Sequence, residues 1–299
     1  MNIFKNKIII ALSILIAAIL TNGCLEEVIP PSLTGELNLT AEMLVYIEKQ
    51  GDFANSNLAP ALVTAQEVFD NLDNYLILDL RTQDEFFVGH IENSINITAD
   101  SLYDYIADHH NSGYPKIVLA SKNAQSSAYF ASLLRLAGFG KVYSLKYGMA
   151  SWNIDFADEW LNAVGDDPKV FTFTNYYYPK NDLTDLPNPP IDNPNASIEE
   201  IIQSRIKIII NDGFNFTNSY CTNLSGVGDA YLICYGKAAL YGARRSGTLG
   251  DLGHPEGTVS YSDSPFFEFR STNHLQTLPN NNEIVIYSYN GQLSACMTA

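Results

Sequence analysis

Two rhythms of apolar and polar positions alternate over residues 61–160. Short continuous apolar runs are separated by stretches in which apolar residues return every three or four positions. Leu62-Val63, Tyr75–Leu80, Ile117–Ala120 and Val142–Leu145 read as strands buried on both faces. Between them, Thr64 is expected to cap a helix through Asn71, Ser101–Asp108 to form a second, and Ser127–Ala137 a third that ends at Gly138. This alternation predicts an α/β fold in three layers, a central parallel sheet with helices on both faces. Upstream, Thr40 is placed to cap a helix from Ala41 to about Gln50. Downstream, Pro179, Pro187, Pro189, Pro190 and Pro194 predict a linker or a stiff extended wrap. Ser197, with Glu199 and Glu200 behind it, then opens another helix and a second domain.

Part of this pattern occurs twice. Residues 116–128 read KIVLASKNAQSSA and residues 283–295 read EIVIYSYNGQLSA. Ile117, Val118, Ser121, Asn123, Gln125, Ser127 and Ala128 recur as Ile284, Val285, Ser288, Asn290, Gln292, Ser294 and Ala295, which marks an internal repeat. A Gly-His pair lies upstream in each copy, Gly89-His90 and Gly253-His254. Each copy is an apolar strand that stops at a serine, makes a short loop and enters a helix. Loop N–H groups and the helix N-terminus can together form an anion cradle, with Ser121 or Ser288 at its floor. A complete second copy would need a further helix and strand after Ala299. The expectation is therefore a truncated chain or an incomplete second domain.

Composition narrows the function classes. Apolar residues make up 46%, with 18 Tyr and 15 Phe, enough for packed cores. The net charge of −16 leaves no basic surface to neutralise phosphates, which argues against nucleic acid as a partner. The first 23 residues read as a signal peptide. Lys5 and Lys7 precede an apolar run from Ile8 to Leu20 that only Ser13 interrupts, short for a membrane span. Thr21-Asn22-Gly23-Cys24 resembles a bacterial lipoprotein processing site, although Leu20 stands four rather than three residues before the cysteine. The resemblance implies lipid on Cys24, a membrane partner, and a place at the bacterial cell envelope on an outer-membrane, periplasmic or surface-facing side. Three further cysteines, Cys221, Cys234 and Cys296, leave at least one thiol unpaired. A Cys221–Cys234 disulfide and three buried thiols both remain open.

Residues 77–97, ILDLRTQDEFFVGHIENSINI, carry Asp79-x-Arg81, Glu85-Phe86, Gly89-His90-Ile91 and Asn96-Ile97. Gly138-Phe139 is followed by Val142-Tyr143-Ser144-Leu145 and by Gly148-Met149-x-x-Trp152. These blocks, in this order, resemble the rhodanese family over about residues 60–160, and more weakly over 198–299. The resemblance implies a five-stranded parallel sheet and sulfur transfer through a cysteine persulfide. It also implies that Ser121, and Ser288 in the second copy, stand at the nucleophile position. The loop Lys122-Asn123-Ala124-Gln125-Ser126-Ser127 lacks the arginine the family carries late in it, and Cys234 and Gly236 stand where the family has Asp and Arg. Sulfur transfer needs a thiolate to attack and to hold the sulfur. A serine hydroxyl is a weak nucleophile without a base, and an oxygen holds no stable persulfide.

The remaining candidates favour structure. His90 reads as a support for a strand-end turn, and Asp79 with Arg81 as a structural pair. His109-His110 have no further ligands at metal spacing, so neither metal nor cofactor is expected. Gly242 to Gly253, with Arg244-Arg245, read as a flexible insert. The expected organisation is a signal peptide at 1–23, a lipid-anchored tether and helix at 24–58, and a rhodanese-like domain at 59–165. A Pro-rich linker follows at 166–197, then an incomplete rhodanese-like domain at 198–299. The expected function is a catalytically degenerate binding or scaffolding module that holds a small anion or a protein partner. The alternative is an enzyme with serine-centred transferase or phosphatase-like chemistry in the same loop.

Overall fold

The computed structural model describes residues 38–51, 61–163, 173–191, 193, 195–214, 230–236, 241, 254–261, 274–288 and 291–299. The expected signal peptide, Cys24, most of the tether, Cys221, the insert from Gly242 to Gly253, and Asn290 lie outside these residues.

The first half runs α1 (Leu39–Lys49), β1 (Leu62–Val63), α2 (Ala65–Phe69), β2 (Leu76–Asp79), α3 (Gln83–Val88) and β3 (Ile95–Asn96). It continues with α4 (Ala99–His109), β4 (Ile117–Ala120), α5 (Gln125–Leu136) and β5 (Val142–Leu145). Two 3-10 turns, Gly148–Ser151 and Ile154–Phe156, lead into α6 (Asp158–Ala163). The five strands make one parallel sheet in the order β1-β5-β4-β2-β3. β2 and β4 are buried at every position, which explains why their sequences show no polar alternation. Side chains still alternate between faces. Leu78 and Leu119 join Leu102, Ile106, Leu133 and Leu134 in one core. Ile77 and Val118 join Ile91, Leu145 and Met149 in the other.

The second half contains β6 (Phe173–Thr174), α7 (Ile198–Asp212), β7 (Tyr231–Tyr235), β8 (His254–Pro255), β9 (Val259–Tyr261), β10 (Ile284–Tyr287) and α8 (Gly291–Thr298). β10-β7-β9 is a parallel three-stranded sheet, and β6 pairs antiparallel with β8. The order β10-β7-β9 repeats β4-β2-β3, and the registers correspond. Ile284 pairs with Tyr231 as Ile117 pairs with Leu76, and Ile233 pairs with Val259 as Leu78 pairs with Ile95. Cys234 thus holds the place of Asp79. His254 stands five residues before Val259, as His90 stands five before Ile95.

The halves share packing. Ile202, Ile206 and Ile210 of α7, with Ala295 and Cys296 of α8, belong to the same core as α4 and α5. Lys207 Nζ on α7 pairs with Asp104 Oδ1 on α4 at 2.6 Å. The proline-rich stretch is a wrap pinned at its middle, over Thr184 to Asn188. Asn38 Nδ2 donates to Leu186 O, Leu39 N donates to Asn188 Oδ1, and Thr184 N donates to Gln276 O.

Three helix starts differ from the sequence reading. α1 is capped by Asn38, whose side chain accepts from Ala41 N, while the Thr40 hydroxyl donates to Pro187 O. α4 begins at Ala99 rather than Ser101, directly after Thr98. α5 begins two residues before Ser127, because the loop provides its own caps, described next.

Candidate functional site

β4 ends at Ala120, and Ser121 is the first residue of the loop into α5. Its hydroxyl is buried and turned inward. Ser121 Oγ lies 2.9 Å from Ser127 Oγ and accepts from Ser127 N at 3.4 Å. Ser127 Oγ lies 2.8 Å from Ser144 Oγ on β5. Three buried hydroxyls therefore join β4, α5 and β5. The local reason is a missing cap. Ala124 occupies the N-cap position in the left-handed region and has no side chain that can accept a hydrogen bond. Ser121 supplies the acceptor for the third residue of the helix, the service a capping serine normally gives from the N-cap itself. Asn123 Oδ1 accepts from Gln125 N at 3.1 Å. At least two loop N–H groups are thus engaged by the loop's own side chains.

Gly148 closes the loop from the β5 side. Its φ is +60°, and a Cβ there would lie 2.2 Å from Ser121 O, 2.7 Å from Ala124 N and 2.9 Å from Asn123 N. Only glycine tolerates both the conformation and the approach. Just beyond it, Met149 N donates to Ser121 O at 2.8 Å and Ala150 N to Lys122 O at 3.1 Å.

On the outer rim Lys122 Nζ pairs with Glu85 Oε1 at 2.5 Å. Burial alone would raise the Glu85 carboxyl, but Lys122 and Thr82 outweigh it and hold the group below the usual carboxylate range. Glu85 also completes a capping box with Thr82 at the start of α3. One carboxylate therefore both caps α3 and anchors the loop lysine. Behind it, Arg81 Nη2 meets Asp79 Oδ2 at 2.6 Å, and Arg81 Nε meets Asp79 Oδ1 at 3.0 Å. Arg81 Nη2 also donates to Gly89 O, and Asn96 Nδ2 donates to Asp79 O and Arg81 O. A buried ion pair is costly to desolvate unless fully hydrogen-bonded. Here the bonds tie the end of β2 to the α3–β3 turn. His90 is exposed and stacks on Phe86, with Nδ1 2.9 Å from Phe86 O. A cleft of about 210 Å³ opens between these groups, lined by Arg81, Glu85, Lys122, Met149, Phe156, Asp155 and Asp158.

The second loop repeats the cap. Ser288 Oγ accepts from Ser294 N at 3.1 Å, as Ser121 does from Ser127 N. The two loops also meet. Gln292 Oε1 accepts from Tyr147 N at 3.1 Å, and Gly291 lies so close to Gln125 that a Cβ would come within 2.2 Å of its amide.

The profile of the Rhodanese-like domain matches residues 64–155. Over 95 residues the chain is 35% identical to thiosulfate sulfurtransferase GlpE of Ectopseudomonas mendocina, an alignment that covers 32% of this chain and 84% of that protein. The chain belongs to the rhodanese family. Among solved structures, a rhodanese-like domain protein from Staphylococcus aureus aligns at 23% identity and TM-score 0.27, over 31% of this chain and 90% of that one. SseA from Escherichia coli, a 3-mercaptopyruvate sulfotransferase, aligns at 16% identity and TM-score 0.28, over 80% of this chain and 91% of that one.

In this rhodanese-family chain, Ser121 to Ser127 run as a short loop into the first turn of α5, with Glu85 at the rim and Asp79 and Arg81 at the adjoining strand end. His90 is bound to Phe86 instead. Cys234 and Cys296 are free, buried thiols. Burial pushes the Cys234 thiol up and the Cys296 thiol up to about 11. Sequence reasoning passed over α3, although Thr82-x-x-Glu85 is a capping-box signature. It also passed over Ser144, Phe156, Asp155 and Asp158. No motif marks the last three, which reach the cleft through a 3-10 turn and the start of α6. Among the described residues, no group of three His, Cys, Asp or Glu side chains is placed to hold a metal ion. No helix among them is long and apolar enough to cross a membrane.

Proposed function

We propose that this protein is a tandem rhodanese-family binding module that performs no sulfur transfer and is held at the bacterial cell envelope by lipid on Cys24. The observation that carries the proposal is Ser121 at the end of β4, its hydroxyl turned inward onto Ser127. That position floors the loop, and an oxygen there accepts no persulfide sulfur. Residues 25–220 contain no cysteine, so the first domain has no other thiol to take over. The repeated strand order and the shared Ser288–Ser294 cap support a tandem arrangement. Lys5, Lys7, the apolar run from Ile8 to Leu20 and the cysteine after Gly23 support export and lipidation.

Serine-centred hydrolysis or transfer is the weaker reading. A nucleophilic serine needs a base within hydrogen-bond reach, and among the described residues Ser121 Oγ bonds only to groups of Ser127. The test is sulfur transfer from thiosulfate to cyanide by the chain without its first 23 residues. The expected rate is background. Turnover above background, abolished by Ser121→Ala, would overturn the proposal.

A further inference from the structure

The cleft beside Lys122 has a charge balance opposite to that of an anion site. Its two cations are already paired, Arg81 with Asp79 and Lys122 with Glu85. Asp155 and Asp158 line the same cleft and have no ion-pair partner among the described residues. The lining and its pairing partners therefore carry two net negative charges. The whole chain is acidic as well, at −16. Such a cleft repels a free anion and concentrates cations.

Part of its lining is apolar and bare. Val88, on the lining, is 82% exposed. Phe87 and Ile154, adjacent in the chain to lining residues, are 71% and 73% exposed. Exposed large apolar side chains gathered around a concave polar centre mark interaction surfaces on soluble domains. Met149 and the Phe156 ring add apolar wall inside. The α3 turn that presents Phe87 and Val88 is fixed by the Thr82–Glu85 capping box and by Arg81 bound to Gly89 O. The α3 side of the surface is thus preorganised.

We infer that this face docks an apolar segment of a partner protein that carries lysine or arginine, with its cationic side chain in the cleft against Asp155 and Asp158. The inference rests on the binding-module reading and supplies its partner chemistry. A free anion as occupant fails on the charge balance.

The test measures fluorescence anisotropy of labelled hexapeptides with the chain lacking its first 23 residues. The probe alternates leucine and arginine, and leucine–glutamate and serine–arginine peptides are the controls. Only the leucine–arginine peptide is expected to bind well. Asp155→Asn/Asp158→Asn should weaken it about tenfold or more, and so should Val88→Ser/Ile154→Ser. These positions are exposed, so the fold is retained, which circular dichroism checks. The same charge change made elsewhere, Asp182→Asn/Glu256→Gln, should leave affinity within about twofold. Equal loss from both charge pairs, equal binding of the serine–arginine peptide, or tighter binding of the leucine–glutamate peptide would overturn the inference. Absence of peptide binding together with absence of sulfur transfer overturns this inference alone. Sulfur transfer that Ser121→Ala abolishes overturns the module reading whatever the peptides do.

Discussion

Ser127→Ala is the most informative single perturbation of the loop. The Ser127 hydroxyl stands between two others, 2.9 Å from Ser121 Oγ and 2.8 Å from Ser144 Oγ. Removing it affects its neighbours unequally. Ser121 keeps the Ser127 backbone N–H. Ser144 loses the only bond its hydroxyl makes among the described residues, at a position only 1% exposed. A buried hydroxyl left unpaired costs about 1–3 kcal/mol. The methyl that remains leaves almost no cavity, so Ser127→Ala should cost about 2 kcal/mol. Ser144→Ala in the same chain removes the orphan, so the double variant should be less destabilised than the sum of the singles by about 1 kcal/mol. Both tryptophans, Trp152 and Trp160, lie shortly after β5, so their fluorescence during urea unfolding reports on the sheet that carries the loop. With a urea slope of about 2 kcal/mol per molar, the midpoint should fall by about 1 M. A midpoint shift under about 0.2 M, or strictly additive single and double variants, would refute the hydroxyl chain.

Three other outcomes follow from the same geometry. Gly148→Ala forces a methyl into the backbone of the Ser121 loop at a positive φ, and should cost about 3 kcal/mol or more in the same urea assay. Glu85 and Glu67 both have carboxyls held below their ordinary value, Glu85 against its own burial through Lys122 and Thr82, Glu67 chiefly through Lys116. Their stabilisation is complete above pH about 4.5 and lost as pH falls through the lowered values, so the urea midpoint should decline below that pH. Lys122→Gln should flatten part of that decline. In a Cys24→Ser/Cys221→Ser chain, Cys234 and Cys296 should stay unreactive to a thiol reagent at pH 8 until denaturant is added, because burial keeps both thiols protonated.

The layered fold was readable because β2 and β4 are buried on both faces, and continuous apolar runs between helical stretches leave few alternatives. The repeat was readable from identities alone, and strand register supports it. Helix starts were less readable, since caps depend on distant partners. Thr40 looked like a cap but donates to Pro187 O, nearly 150 positions away, and Asn38 caps instead. In the sequence the loop reads as an open anion cradle. Sequence could not show that Ser121 and Asn123 turn back onto the N–H groups of Ser127 and Gln125. Nor could spacing show that Asp155 and Asp158 face Lys122 across a cleft, because their approach depends on two 3-10 turns after β5.

The account turns on whether position 121 can hold sulfur. Its most direct test is the intact mass of the chain, in the Cys24→Ser/Cys221→Ser background, after incubation with thiosulfate. The account predicts no added sulfur with serine at position 121, the same outcome as for Ser121→Ala. A sulfur adduct on the serine-containing chain that Ser121→Ala removes would contradict it.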